Sequence, residues 1–421
     1  MKTLKFPDGF LWGAATSAHQ VEGGNCNSWS EWEKKNAERL AVDARRGIDV
    51  WKEWESRNRE KFPEMSEPDN YISGTAADHY NRFKADFDLA KELGQNAHRF
   101  SLEWSRIEPE EGQFDETELN HYREVVHALR ERGLEPFVTL WHWPMPLWLE
   151  AKGGWENPDT IQYFKRYAER VVEALGDAVT FWITLNEPEV YAGHSFLKGY
   201  WPPQKKSYFS YRRVIRHLVR AHKLAYTAIK KQNKGACVCV AKHNVYFEAY
   251  KNRMVNRLLK IFVDWWWNEW FLKRIRAYQD AVTVNNYHHN RIDYGFNKND
   301  NERVSDMGWE LYPASLAAVA RELRKYDVPI YITEHGLADA DDTRRAWFIK
   351  ESLRHLHEVI AEGVPVRGYL HWSLLDNFEW DKGFWPRFGL IEVDFKTQER
   401  KIRPSAYEYK KICEDNALTI E

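Results

Sequence analysis

The feature that most restricts what this chain can fold into is an alternation. Short strand-like runs take turns with amphipathic helical stripes, eight times along 421 residues. The strand-like runs are read at 10–17, 97–104, 135–143, 179–185, 237–246, 281–287, 329–336 and 366–374. The clearest of them opens Ile330, Tyr331, Ile332, Thr333, apolar and β-branched with no room for a helical stripe, which marks a buried parallel strand. Helical stretches fill the gaps, at 116–132, 158–175, 211–231, a Trp-rich 252–276, and 344–362. Two more show their faces plainly: Tyr80, Phe83, Phe87, Ala90 and Leu93 before Gly94, and Leu316, Val319, Leu323 and Tyr326 after Pro313. Spacings of three and four put those side chains on one side of a helix, with glycine suited to its end and proline to its first turn. Eight βα units predict the α/β class and a closed (β/α)8 TIM barrel. Such barrels take about 250 residues and exceed 400 with insertions, so a single domain over 1–421 with long βα-loop insertions accounts for the length. The largest insertion is read at 31–72, charged and irregular, with a helical patch around 49–59. The tail from Arg387 predicts a short strand or hairpin and a last helix.

Two of the runs end in a carboxylate. P-I-Y-I-T-E-H-G delivers Glu334, His335 and Gly336, and V-T-F-W-I-T-L-N-E-P delivers Asn186, Glu187 and Pro188. A carboxylate at the end of a buried strand is costly unless it is used or paired. Either glutamate alone reads as a helix-start residue stabilised by the helix dipole. Together, at the same end of one barrel, they put two carboxyl groups in one pocket, which is what glycosidic bond cleavage requires. The other polar residues at strand ends are Gln20, Arg99, His142, Asn285, Tyr287 and Glu379, accompanied by Trp143, Trp372 and Trp380. Amide, imidazole and carboxyl groups bind vicinal hydroxyls, and indole rings stack on the C–H faces of sugars. The chain's 21 tryptophans supply many such rings.

The formal charge of -2 leaves no electrostatic footprint for nucleic acid or an anionic membrane, and no run approaches the roughly 20 apolar residues of a membrane span. The start, M-K-T-L-K-F-P-D-G-F, has no apolar signal core, and Cys26, Cys237, Cys239 and Cys413 form no pattern, which fits a reducing cytoplasm. His288 and His289 are adjacent on a strand, and His355 and His357 are two apart on a helix, so neither pair shares a metal-binding face. No glycine-rich phosphate loop and no Ser-His-Asp set stands out. The expectation is an enzyme with no metal and no cofactor, acting on a small sugar-containing molecule without nucleic-acid or membrane partners.

Five segments in order, F-L-W-G-A-A-T-S-A-H-Q-V-E-G, H-R-F-S-L-E-W-S-R-I, T-L-N-E-P, I-T-E-H-G and W-S-L-L-D-N-F-E-W, resemble glycoside hydrolase family 1. W-S-R-I-E-P-E-E-G and G-Y-W-P-P give the resemblance an archaeal β-glycosidase character. It implies a retaining, exo-acting β-glycosidase that works by double displacement, with Glu334 as nucleophile and Glu187 as acid/base. It further implies hydroxyl ligands at Gln20, His142, Asn186, Glu379 and Trp380, a ring platform at Trp372, and apolar lining at Trp143 and Phe388. Arg99 and Tyr287 resemble residues that hydrogen-bond the nucleophile, with Asn285 beside it. Arg99 and Tyr287 should hold Glu334's pKa down, and Glu334's charge should raise that of Glu187. Alternatives on the same site are a transglycosylase and a catalytically weak carbohydrate-binding relative; the latter would be expected to lose a carboxylate, and both are present. His335 departs from the family's usual Asn, and strand alternation should turn it away from Glu334. In N-F-E-W-D-K-G-F-W, Glu379 occupies the place where phosphosugar-specific relatives carry a small hydroxyl residue, which implies unphosphorylated glucosides or galactosides as substrates.

Overall fold

The computed structural model describes residues 2–46, 60–298, 300 and 303–420. Eight parallel strands close into a barrel: β1 (Leu11–Ala15), β2 (Ala97–Ser101), β3 (Glu135–Trp141), β4 (Phe181–Asn186), β5 (Cys237–His243), β6 (Val282–Asn285), β7 (Ile330–His335) and β8 (Val366–Trp372). Each strand pairs with its neighbours in sequence, and β8 closes on β1 through Gly368 opposite Leu11 to Trp372 opposite Ala15. All eight expected strands are present.

Both faces of these strands are buried, so even the alternating Arg99 and Ser101 of β2 are enclosed. In β3, Phe137 faces a core inside the barrel with Ile183 and Leu370, stacking on Phe181 at 4.1 Å. Val138 and Leu140 face outward to the helices. The main helices are α1 (Ser28–Arg46), α2 (His79–Glu92), α3 (Glu116–Glu131), α4 (Thr160–Leu175), α5 (Tyr208–Gln232), α6 (Met254–Val263), α7 (Ala314–Leu323), α8 (Arg345–Ala361) and α9 (Pro404–Asp415). The stripes read from sequence are the buried ones: Phe83, Phe87 and Ala90 on α2, and Leu316, Val319 and Leu323 on α7.

Several expectations need correction. The first part of the supposed irregular insertion is the 19-residue helix α1. Its buried face carries Trp29, Trp32, Ala37 and Ala41 but also Glu33 and Asn36, and those polar residues masked the stripe. Glu33 is satisfied by His19 at 2.7 Å and by Ser73. The helical patch expected at 49–59 lies outside the described residues. The Trp-rich helix is broken: α6 ends at Val263, a wide π-helical turn spans Asp264–Glu269, and a helix resumes at Trp270–Ile275. The tail's hairpin (Ile391–Val393 with Arg400–Ile402) and last helix are present, followed by a strand, Ala417–Ile420, that pairs with Lys2–Lys5. Tyr246–Ala249 and His289–Asp293 form a small extra sheet.

Pairing slips at the mouth of the barrel. The β4–β5 register shifts between Ile183 and Asn186, and the β6–β7 register between Ile332 and Glu334. Bulges re-aim side chains and cluster beside functional sites. Here Thr333 and Glu334 both turn toward the barrel mouth, bonding Asn285 and Arg99, while His335 turns outward onto Phe348 of α8.

The backbone after β7 leaves no room for a side chain: a Cβ at Gly336 would lie 1.9 Å from the Trp372 carbonyl oxygen. Gly336→Ala must therefore force β7 and β8 apart and is expected to cost at least about 2 kcal/mol. Urea denaturation measures it; an unchanged midpoint and slope would contradict this packing.

Candidate active site

Glu334 stands at the end of β7 and is 4% exposed. Arg99, on β2 with no exposed surface, donates from Nη1 to Glu334 Oε1 at 2.5 Å. Its other donors reach Asn186 Oδ1 at 2.7 Å and Thr139 Oγ1 at 3.1 Å, which fix the plane of the guanidinium. Tyr287 Oη donates to the second oxygen, Glu334 Oε2, at 2.7 Å. The nucleophile candidate thus has a donor on each oxygen.

Glu187 follows β4 directly. Its backbone is left-handed (φ 41°), a conformation uncommon outside glycine, and its N–H bonds Ala241 O at 2.8 Å. Pro188 then starts a short helix, so Glu187 is a helix-start residue as well. Its Oε1 accepts from Asn285 Nδ2 at 2.8 Å. Asn285 was expected beside Glu334; its amide serves both carboxyls, since it favours the charged form of each.

Burial is the largest influence on both acids. It raises Glu187 well above the usual carboxylate range, the charge of Glu334 raises it further, and Asn285, Arg99 and Lys242 pull back. Glu334 is also raised by burial, and Arg99, Tyr287 and Asn285 offset this only in part. The sequence expectation that Glu334 would be held low is therefore corrected. What separates the two groups is the direct ion pair, which one has and the other lacks. The ion pair favours the charged form of Glu334 and, through that charge, the protonated form of Glu187.

The hydroxyl-binding candidates surround this pair. Arg99 and Asn285 both donate to Asn186 Oδ1, so Asn186 Nδ2 is the donor to His142 Nε2 at 2.9 Å. Burial and the Arg99 charge keep His142 neutral, far below its usual pKa. Its proton then lies on Nδ1, a buried donor without an acceptor among the described residues. A buried donor in that state is ready for a ligand oxygen. Gln20 and Glu379 are held together at 3.3 Å, with Asn377 donating to Glu379 Oε2 at 2.9 Å. Burial pushes Glu379 up to about 8, with small contributions from Glu334 and Asp381. In the empty pocket at neutral pH it is therefore protonated, contrary to the negative charge read from sequence.

Trp143 and Trp380 pack at 4.6 Å, and Trp372 packs with Phe388, Ala15 and Ala338. Every expected site residue is thus drawn into one neighbourhood. His335 is not: it contacts Tyr369 at 3.0 Å and Phe348. Sequence reasoning missed Thr139, Thr333 and Asn377, which orient Arg99, Asn285 and Glu379. Thr139 and Thr333 were detectable as lone hydroxyls inside apolar strands; Asn377 had no such signal. Trp201 and Trp309 were missed as well: Trp201 packs on Trp143 at 4.7 Å, and Trp309 on Tyr287 at 5.7 Å.

Comparison with known proteins agrees with this geometry. A family model described as Glycosyl hydrolase family 1 matches residues 2–277 and 247–418. The chain is 31% identical to beta-glucosidase A of Thermotoga maritima over 99% of this chain and 100% of that one. It is 28% identical to a beta-galactosidase of Pyrococcus woesei, over 98% of each chain. The solved structure of a beta-glycosidase from Pyrococcus horikoshii superposes with a TM-score of 0.86 at 34% identity, over 100% of this chain and 97% of that one.

Tyr287→Phe removes a donor that lowers Glu334's pKa, so Glu334 titrates at higher pH in the variant. The acid limb of the kcat/KM–pH profile is expected to move up, with about 10–100-fold loss below it, the worth of one hydrogen bond to a charged group. An acid limb at the wild-type position would contradict the role of the hydroxyl.

Proposed function

The chain belongs to glycosyl hydrolase family 1, and from that membership we propose a specific reading: an exo-acting β-glycosidase in which Glu334 is the nucleophile and Glu187 the acid/base. The observation that carries it is the asymmetry of the two acids, Glu334 ion-paired to Arg99 at 2.5 Å and the Glu187 carboxyl bonded, among the described residues, only to the neutral Asn285. Ionised Glu334 attacks the anomeric carbon while Glu187 delivers its proton to the leaving oxygen. Esterification of Glu334 removes the charge that raised Glu187, while Arg99 and Lys242 remain to favour its ionised form. Glu187 then takes a proton from water, which releases the sugar with its configuration retained.

His142 Nδ1–H, Asn186, Gln20, Glu379 and Trp380 serve the sugar hydroxyls in this reading, with Trp372 beneath the ring and Trp143 and Phe388 lining the pocket. Both glucosides and galactosides fit, since Glu379 and Gln20 accept or donate to either C4 epimer. Residues 1–421 act as one catalytic domain. The four cysteines are unpaired, which supports a reducing, cytoplasmic setting.

Glu334→Gly is expected to lower turnover of p-nitrophenyl β-D-glucoside by at least about 1,000-fold, because the covalent step is lost. Added azide should restore turnover and give the α-glycosyl azide; near-wild-type hydrolysis without azide would refute the assignment.

Phosphorylated sugars should be poor substrates. A 6-phosphate near Glu379 would bring charge into a buried pocket beside Glu334, Asp381 and an acid that ionises at about 8. Asp381 already faces Lys382 at 3.7 Å. The 6-phosphate of p-nitrophenyl β-D-glucoside should show kcat/KM at least about 100-fold lower than the free sugar. A preference for the phosphate would overturn this specificity.

A further inference from the structure

The whole-chain charge of -2 gave no reason to expect an anionic surface as partner, but that average conceals a segregation. Between Glu189 and Glu248 the chain has no Asp or Glu, while Lys and Arg recur throughout. Much of this stretch is α5, where Arg212, Arg213, Arg216 and Arg220 line a surface depression with His217 and Phe209, the latter 80% exposed. Arg213 reaches Glu156 only at 3.7 Å. Among the described residues, Arg212, Arg216 and Arg220 have no carboxylate partner.

Next to it α6 is apolar on two sides. Leu259 and Val263 pack inward against Val245, Phe247 and Ile292. The outer side exposes Met254 (68%), Val255, Leu258 (62%), Ile261 (63%), Phe262 (58%) and, beyond its end, Trp265. Their spacing makes one stripe, and no described element covers it. The two regions are neighbours in the fold: Trp266, in the turn that follows α6, contacts Tyr211 of α5 at 6.1 Å, Tyr211 contacts Tyr208 at 6.3 Å, and Tyr208 contacts Phe209 at 6.3 Å.

We propose that this surface seats the enzyme on an anionic lipid bilayer. The outer stripe of α6 and Phe209 enter the boundary between headgroups and acyl chains, and the α5 arginines meet lipid phosphates. The attachment is peripheral; among the described residues no helix is long and apolar enough to cross a membrane. A polyanion in water would engage the arginines but leave the stripe wet. A second copy docked through the same face by a two-fold axis would set the arginines either against each other or against the apolar stripe, and neither satisfies both halves. A bilayer with anionic lipid satisfies both halves of the surface at once.

The test is co-sedimentation of the full chain with vesicles of phosphatidylcholine alone and of phosphatidylcholine mixed with phosphatidylglycerol. Two variants accompany it: Leu258→Glu, Ile261→Glu and Phe262→Glu combined, and Arg212→Glu, Arg216→Glu and Arg220→Glu combined. All six residues lie away from the active site, so wild-type hydrolysis of a soluble aryl glycoside certifies folding. The wild type should bind the mixed vesicles, release with rising salt, and lose binding at least about tenfold in either variant. Four results would overturn the proposal. The first is no binding, and the second is equal binding to phosphatidylcholine alone. The third is binding unaffected by the stripe variant, which would mean arginines capturing any polyanion. The fourth is dimerisation without vesicles that the stripe variant abolishes.

Discussion

The arrangement at the barrel mouth depends on a buried ion pair, Arg99 with Glu334, whose side chains are 0% and 5% exposed. Taking two charges out of water is costly, and the attraction repays it only where the remaining donors and acceptors are also satisfied. The Arg99 guanidinium meets that condition through Thr139, Asn186 and the Thr333 carbonyl. Asn186 is thereby oriented, His142 takes the matching tautomer, and Asn285 is left to bridge to Glu187. One cation therefore ties together side chains from four strands and favours the charged form of Glu334 by direct contact. It also prepares the second half of the reaction. In the proposed mechanism, where Glu334 is esterified, the same guanidinium would favour an ionised Glu187.

The barrel was legible because its strands are buried on both faces and its helices repeat clean stripes. That the candidate residues would meet at one end of the barrel was legible because strand ends carry function in this architecture. The exact aim of those residues was not. Strict alternation from Tyr331, which packs inside the barrel, would send Glu334 outward with Ile332. The register shifts in β7 and β4 correct this, and a bulge has no signature in a single sequence.

Other features were hidden for different physical reasons. The α1 stripe is interrupted by buried Glu33, whose partners His19 and Ser73 lie 14 and 40 residues away in sequence. The direction of the pKa shift at Glu334 and the charge of Glu379 were misjudged because burial, a property of the fold, outweighs the neighbouring groups that sequence can suggest. The basic and apolar surface of α5 and α6 vanished into a near-zero total charge. Its stripe resembled core because nothing local distinguishes an uncovered apolar face from a covered one.

The central claim is that Glu187's protonation is governed by burial and by the charge state of Glu334. Carboxyl-carbon NMR titration of Glu187 tests it directly, with the enzyme free and then with Glu334 esterified by a slowly hydrolysed 2-fluoro glycoside. The account predicts a Glu187 midpoint far above the ordinary carboxylate value in the free enzyme, falling once Glu334 is esterified. A midpoint that stays fixed or rises on esterification would contradict it.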